Sequence, residues 1–506
     1  MRSRSLTHRL TAFLAAYVAP LLLLASPAAA EWRRAESPNF IVYADAPETR
    51  LRERVLQLED YHRLVGTATG IDTPPVRNKL TVYLLDDAND LRLVRNVSGS
   101  VGGMYVATAI GVAAFVSAQT SFGNDVLQHE YAHHFLYQYA PRPYPAWFVE
   151  GFAEYFMTAR FTEREIEFGG VPENRIRALN SGGWLPMERL LSGNLAGLDG
   201  RDRNRFYAQS WLATHYFYSN AERFGQLRAY LVALAGGADV RTALQQAIGL
   251  TPVQFERALI DHVRGGRILV RRMTRGSAQA VPAVTVTVLP RAADELMPAR
   301  AALHVGQRDD FGQRLLARVR PIAARHGNDR FARRVLAEAE AMHGDGTAAD
   351  RLLDGLLAET PNDVELLYLK GMRHLRASRQ QGQDAATQAR EAARWFGRAY
   401  RADENHYQTL YRFAQSQRGQ PAYASENNRN VLVVAHTLAP QVAEIRMAAA
   451  GVLLSRREYG LAESLLQPLA ADPHNERLAQ AARELIDRAR AGRAGAPQPS
   501  PPPTGR

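Results

Sequence analysis

His129-Glu130-Tyr131-Ala132-His133, followed past Pro143 and Pro145 by Trp147-Phe148-Val149-Glu150-Gly151-Phe152-Ala153-Glu154-Tyr155, decides how this 506-residue chain is read. On a helix, positions i and i+4 lie about 40° apart, so His129 and His133 present two imidazoles to one metal ion. Glu130 lies about 100° round from His129, beside the ion rather than on it, where a carboxylate can take a proton from a metal-bound water. A catalytic zinc also needs a third protein ligand and one open position. Glu150 offers that ligand from a second helix, because the two prolines end the first helix and prime the next. Gly151 beside it lets another backbone come close.

Through His129, Glu130, His133, Trp147, Phe148, Glu150, Gly151, Phe152 and Ala153 the sequence resembles the gluzincin metallopeptidases, whose H-E-x-x-H helix is followed by a W-[LF]-x-E-G-[FL]-A-E-Y-like helix. The resemblance covers about residues 31 to 265 and is sharp between 128 and 156. It implies Zn2+ held by His129, His133 and Glu150, with Glu130 as general base. The gap from His133 to Glu150 departs from the aminopeptidase branch by being shorter. That branch also carries G-x-M-E-N upstream, with a Glu that holds the substrate amine. Here the nearest match, Gly102-Gly103-Met104-Tyr105-Val106, lacks both Glu and Asn, which argues against an obligate aminopeptidase.

Five further residues need weighing. Glu154 follows Glu150 by one turn on the same face and is read as a carboxylate that orients a ligating His, or as the fallback third ligand. His134 points about 100° away from His133 and cannot share the ion. Tyr207, Trp211 and His215 recur at helical spacing, mostly a core stripe, yet Tyr207 or His215 could donate to an oxyanion.

Upstream, Arg2, Arg4 and Arg9, an apolar run from Thr11 to Ala25 and small residues to Ala30 predict a cleaved signal peptide over 1–30, with an uncleaved anchor as the alternative. Export to a periplasm or the extracellular space follows, with no transmembrane span after cleavage. The absence of Cys excludes disulfides and Cys-ligated zinc. The net charge of +11 is compatible with an anionic envelope, but without basic runs interleaved with aromatics it gives no case for nucleic acid.

Strands are expected at Phe40–Tyr43 and Leu80–Leu85, with a helix from Pro47 to Val65 between them. The uncharged stretch Val101–Ser117 is long enough for a membrane span, but Gly, Thr and Ser punctuate it, so two strands of the active-site sheet are expected. Asn124 and Asp125 should cap the metal helix. The fold class expected for 31–265 is thus an α+β zincin-like domain. A linker over 266–299 holds short strands at Ile268–Val270 and Val284–Val288, with a loop at Gly276-Ser277. After Pro298 the chain turns helical.

Within 300–491 the chain repeats. Asn328-Asp329 recurs as Asn362-Asp363 34 residues on, and Pro440 as Pro473 33 residues on, with an insertion near Gln380–Gln388. That period, with Ala448–Val452 and Tyr459–Glu463, resembles tetratricopeptide (TPR) repeats, a helical solenoid offering a concave surface to a protein partner or peptide. A plain helical bundle is the alternative. Residues 492–506 form a Pro-rich tail without order.

Together these expectations describe an exported zinc endopeptidase acting on a protein or peptide substrate, with repeats that recruit substrate or partner. Two other classes fit the same residues: an envelope binding scaffold with a structural or vestigial metal site, and a zinc hydrolase acting on a non-peptide envelope substrate.

Overall fold

The computed structural model describes residues 31–495 except 86, 96–101, 118–122, 181–182, 194, 196, 267, 276–280, 381–383 and 473–474. The leader, the residues beyond 495, the Gly276-Ser277 loop, Pro473 and the centre of the Gln380–Gln388 insertion therefore lie outside the described residues, as do Val101 and the side chain of Asn124.

Hydrophobic runs that are apolar at every position require a strand covered on both faces. The chain begins with three strands: β1 (Trp32–Glu36), β2 (Phe40–Asp45) and, after helix α1 (Glu48–Thr69), β3 (Leu80–Leu85). Helix α2 (Ala88–Val94) leads to the hairpin β4 (Gly103–Ala107) and β5 (Val112–Ser117), the two strands expected within Val101–Ser117. β2, β3 and β5 run parallel, and β4 pairs antiparallel to β5 as the outer strand. Alternate residues then face opposite sides. Val42, Ala44, Val82, Ala114 and Val116 pack toward α1 and the metal helix. Trp32, Tyr43, Tyr83 and Phe115 face the other way, and the Tyr43–Tyr83 and Tyr83–Phe115 rings stack across adjacent strands with centroids 5.0 and 5.3 Å apart.

Helix α3 (Gly123–Tyr139) carries the first metal motif and α4 (Ala146–Phe156) the second. The short β6 (Arg160–Phe161) and β7 (Glu165–Phe168) follow, then α5 (Glu173–Asn180), α6 (Met187–Ser192), α7 (Gly200–Tyr218), α8 (Ala221–Ala235), α9 (Val240–Ile248) and α10 (Pro252–Arg264). α3 starts earlier than the cap residues suggested, so Asp125 lies in its first turn, where it pairs with Arg160 at 2.9 Å.

The expected linker is not a free connection. Its strands β8 (Arg271–Thr274) and β9 (Thr285–Val288) complete two sheets: β8 pairs with β7, and β9 adds to β1 as the far strand of the six-stranded sheet β4-β5-β3-β2-β1-β9. β8 begins just after Ile268–Val270, the apolar run expected to be a strand. Helix α11 (Ala292–His304) contains Pro298 rather than starting after it, and with α12 (Asp309–Arg325) and α13 (Arg330–His343) it covers the aromatic face of the sheet.

From α13 onward the chain is a stack of helical hairpins: α13 with α14 (Gly346–Glu359), α15 (Val364–Ala377) with α16 (Ala385–Ala402), α17 (Tyr407–Ser416) with α18 (Glu426–Leu438), and α19 (Ala443–Ser455) with α20 (Tyr459–Ala470). α21 (Glu476–Ala494) closes the stack and carries order past residue 491, where the tail was expected to begin. The recurring Asn-Asp has a physical cause, since the Ala332 and Leu366 N–H groups donate to the Asp329 and Asp363 carboxylates at the start of α13 and α15.

The repeats pack back onto the sheet. Asn78 donates to the Asn405 and Leu438 carbonyls at 3.5 and 3.3 Å. Tyr407, Leu410, Ala439, Val442 and Ile445 join the same core as Ala109 and Val112. A cleft of about 390 Å³ remains between them, lined by Thr81, Arg300, Glu338, Glu365 and His406. The α17–α19 part of the repeats is thus packed against the chain's own sheet. No helix among the described residues is long and apolar enough to cross a membrane.

Candidate metal centre

Helix α4 is buried along its whole length, so its two carboxylates are held inside the protein next to α3. It lies against α7 at Gly151, where a Cβ would stand 2.2 Å from the Ser210 carbonyl oxygen and 2.3 Å from Thr214 Oγ1. The glycine anticipated for close approach serves that crossing. Gly151→Ala is expected to cost about 1–3 kcal/mol by overpacking, read as a lower melting temperature, because the opposing atom is backbone and cannot swing aside.

The packing of α4 against α3 brings three of the expected residues together. His129 Nε2 and His133 Nε2 are 3.1 Å apart, and Glu150 Oε2 lies 3.5 and 3.7 Å from them. Among the described residues these three form the one group of histidine and acid side chains that could hold a metal ion. Ligand bonds of about 2.0–2.1 Å in a tetrahedral site put donor atoms roughly 3.3 Å apart, so the triangle fits zinc without rearrangement. The electrostatics agree. Burial alone would depress His129, but Glu150, Glu154 and Glu130 outweigh it and raise its pKa to about 9, as expected where carboxylates surround a place for positive charge.

Glu130 stands off the triangle and lines an adjoining cleft of about 820 Å³ with His129, Gly102, Gly103, Arg175 and Tyr207. Glu154 is 3.6 Å from His129 Nδ1, whereas Glu150 approaches the ring's other nitrogen. Arg175 of α5 grips Glu154 through Nε and Nη2 at 2.8 and 2.7 Å, and the guanidinium lies 5.0 Å from the centre of the Tyr207 ring. Glu154 thus lies beside His129 and is not one of the three donors of the triangle. Burial, with Glu150 and Glu154 nearby, holds the Tyr207 phenol protonated, as a hydrogen-bond donor must be.

Two histidines are elsewhere. His134 is bonded to the Tyr105 hydroxyl at 3.1 Å, and burial pushes its pKa down to about 3. His215 is tied to His262 at 2.9 Å and to the Leu269 carbonyl, is not among the residues lining the cleft, and is pushed down to about 4 by burial. Arg175 was not anticipated. No spacing rule links it to Glu154, and the one available signal was that a buried carboxylate needs a cationic partner.

The chain matches no protein-family model and no curated protein. Among solved structures it is similar to a thermophilic TPR protein of Thermus thermophilus, at 16% identity and a TM-score of 0.33, over 38% of this chain and 98% of that one. The repeat architecture rests on the helical hairpins described above rather than on that likeness.

Proposed function

We propose that the chain is an exported zinc-dependent endopeptidase with a gluzincin-type site in a zincin-like domain. The observation that carries this reading is the His129–His133–Glu150 triangle with Glu130 beside it in an open cleft. When bound, zinc supplies Lewis acidity to a carbonyl and lowers the pKa of water toward neutrality. Glu130 accepts the proton of the attacking water and delivers it to the leaving amine. Glu154, fixed by Arg175, holds the His129 ring, and Tyr207 donates a hydrogen bond to the developing oxyanion. β4, the outer strand nearest the metal helix, offers main-chain pairing to an extended peptide. With no Glu at Tyr105 or Val106 to fix a free amine, cleavage is internal.

A purely structural metal site has no use for a carboxylate at Glu130, which sets the scaffold reading second. Recruitment of a protein by the repeats falls to their outer helices, where Tyr400, Val434 and Leu461 stand exposed. The export in this reading rests on the signal-peptide pattern over residues 1–30.

The test is zinc content and turnover of N-acetylated peptides by the full chain. One zinc per chain is expected, lost in His129→Ala, His133→Ala and Glu150→Ala, and bound about 10–100-fold more weakly in Glu154→Ala. Zinc kept by Glu150→Ala and lost by Glu154→Ala would transfer the third ligand to Glu154. A zinc-loaded chain that cleaves no peptide would sink the peptidase reading in favour of the scaffold or a non-peptide substrate.

A further inference from the structure

The turn of the β4–β5 hairpin, Thr108–Gly111, is enclosed by the C-terminal half of the chain. The Thr108 hydroxyl donates to the Val305 carbonyl at 2.9 Å, just after α11. Gly111 approaches so closely that a Cβ would lie 2.0 Å from the His304 carbonyl oxygen, and one on Gly306 would lie 2.3 Å from Ile110. From α17, Gln408 donates to the Ile110 carbonyl at 3.4 Å, and Ile445 of α19 is buried in the same core as Ala109. Ala109 is buried in one core with Tyr407, Leu410, Val442 and Ile445. The other end of this hairpin is Gly103, which lines the metal cleft, and between them Tyr105 is bonded to His134 of the metal helix. β4 has only five residues, Gly103–Ala107, so a shift at the turn reaches the cleft with little room to dissipate.

We propose that the repeats act as a positioning clamp on the β4–β5 hairpin, so that α17 and α19 hold the strand beside the metal cleft in the register that receives substrate. Gln408 is a positioning residue, since it does not line the metal cleft. The catalytic consequence rests on the peptidase reading, whereas the clamp itself does not. This gives the repeats a role within the chain: they set how firmly an extended peptide is gripped, not how fast the bound peptide is cut.

The experiment compares full-length, zinc-loaded wild type with Gln408→Ala and Gly111→Ala. Amide hydrogen exchange over residues 103–107 is measured beside KM and kcat on one long acetylated peptide. In both variants, exchange of the β4 amides is expected to quicken by about tenfold and KM to rise by about tenfold, with kcat changing less than about threefold. Unchanged β4 exchange in both disrupting variants overturns the clamp, as does quickened exchange with an unaltered KM. A wild type that cleaves no peptide defeats the peptidase reading instead, and the exchange measurement then decides the clamp alone.

Discussion

Glu130→Gln is expected to keep its zinc and its fold and to lose peptide hydrolysis by about 10²-fold or more, the scale of removing a general base. The argument is geometric. Glu130 is not one of the three residues of the donor triangle but lines the cleft beside them, so an amide of the same shape leaves the ligand set and the packing of α3 untouched. What the amide cannot do is accept a proton. The loss should therefore fall on kcat and kcat/KM together, with KM little changed, because the missing interaction is made as the water attacks. Metal analysis, a thermal melt and single-turnover cleavage check the three parts separately. Undiminished turnover would remove Glu130 from the mechanism.

The second large effect is on folding. A chain ending after Gly266 retains every metal-site residue, yet it is expected to lose cooperative folding and to expose apolar surface. It lacks β8, β9 and the helices α11–α13 that cover Trp32, Tyr43, Tyr83 and Phe115. Four large side chains at about 1.5–3 kcal/mol each rival the whole net stability of roughly 5–15 kcal/mol of an ordinary domain. A sharp melting transition in the truncated chain, with zinc still bound, would show that the sheet stands without its C-terminal cover.

How much could be read from residues alone follows a physical division. The donor triangle was legible because helical geometry fixes His129 against His133 within one turn, and because the prolines before α4 delimit the helix that carries Glu150. Glu154 falls near His129 for the same reason, being one further turn along. The strands Leu80–Leu85 and Val112–Ser117 announced themselves by continuous apolar runs. Pairings between distant segments were not legible. Thr285–Val288 reads as a short strand, but nothing in it names β1 as its neighbour, and Arg175 carries no local mark of its bond to Glu154. The repeats were visible as a period, whereas the surface they bury is decided by Tyr407, Val442 and Ile445 sharing a core with Ala109 and Val112.

The neighbour of the first strand is the last one. Arg33 pairs with Val288, so closing the six-stranded sheet draws together the two ends of nearly the entire N-terminal half. By the logarithmic law for loop closure this costs roughly 5 kcal/mol of chain entropy before any contact repays it, and such distant pairing slows the search for the native state. A ribosome delivers β1 long before β9 exists. The sheet beneath the metal helix cannot reach its final strand order until residue 288 has emerged, so its first strand waits for a partner made about 250 residues later.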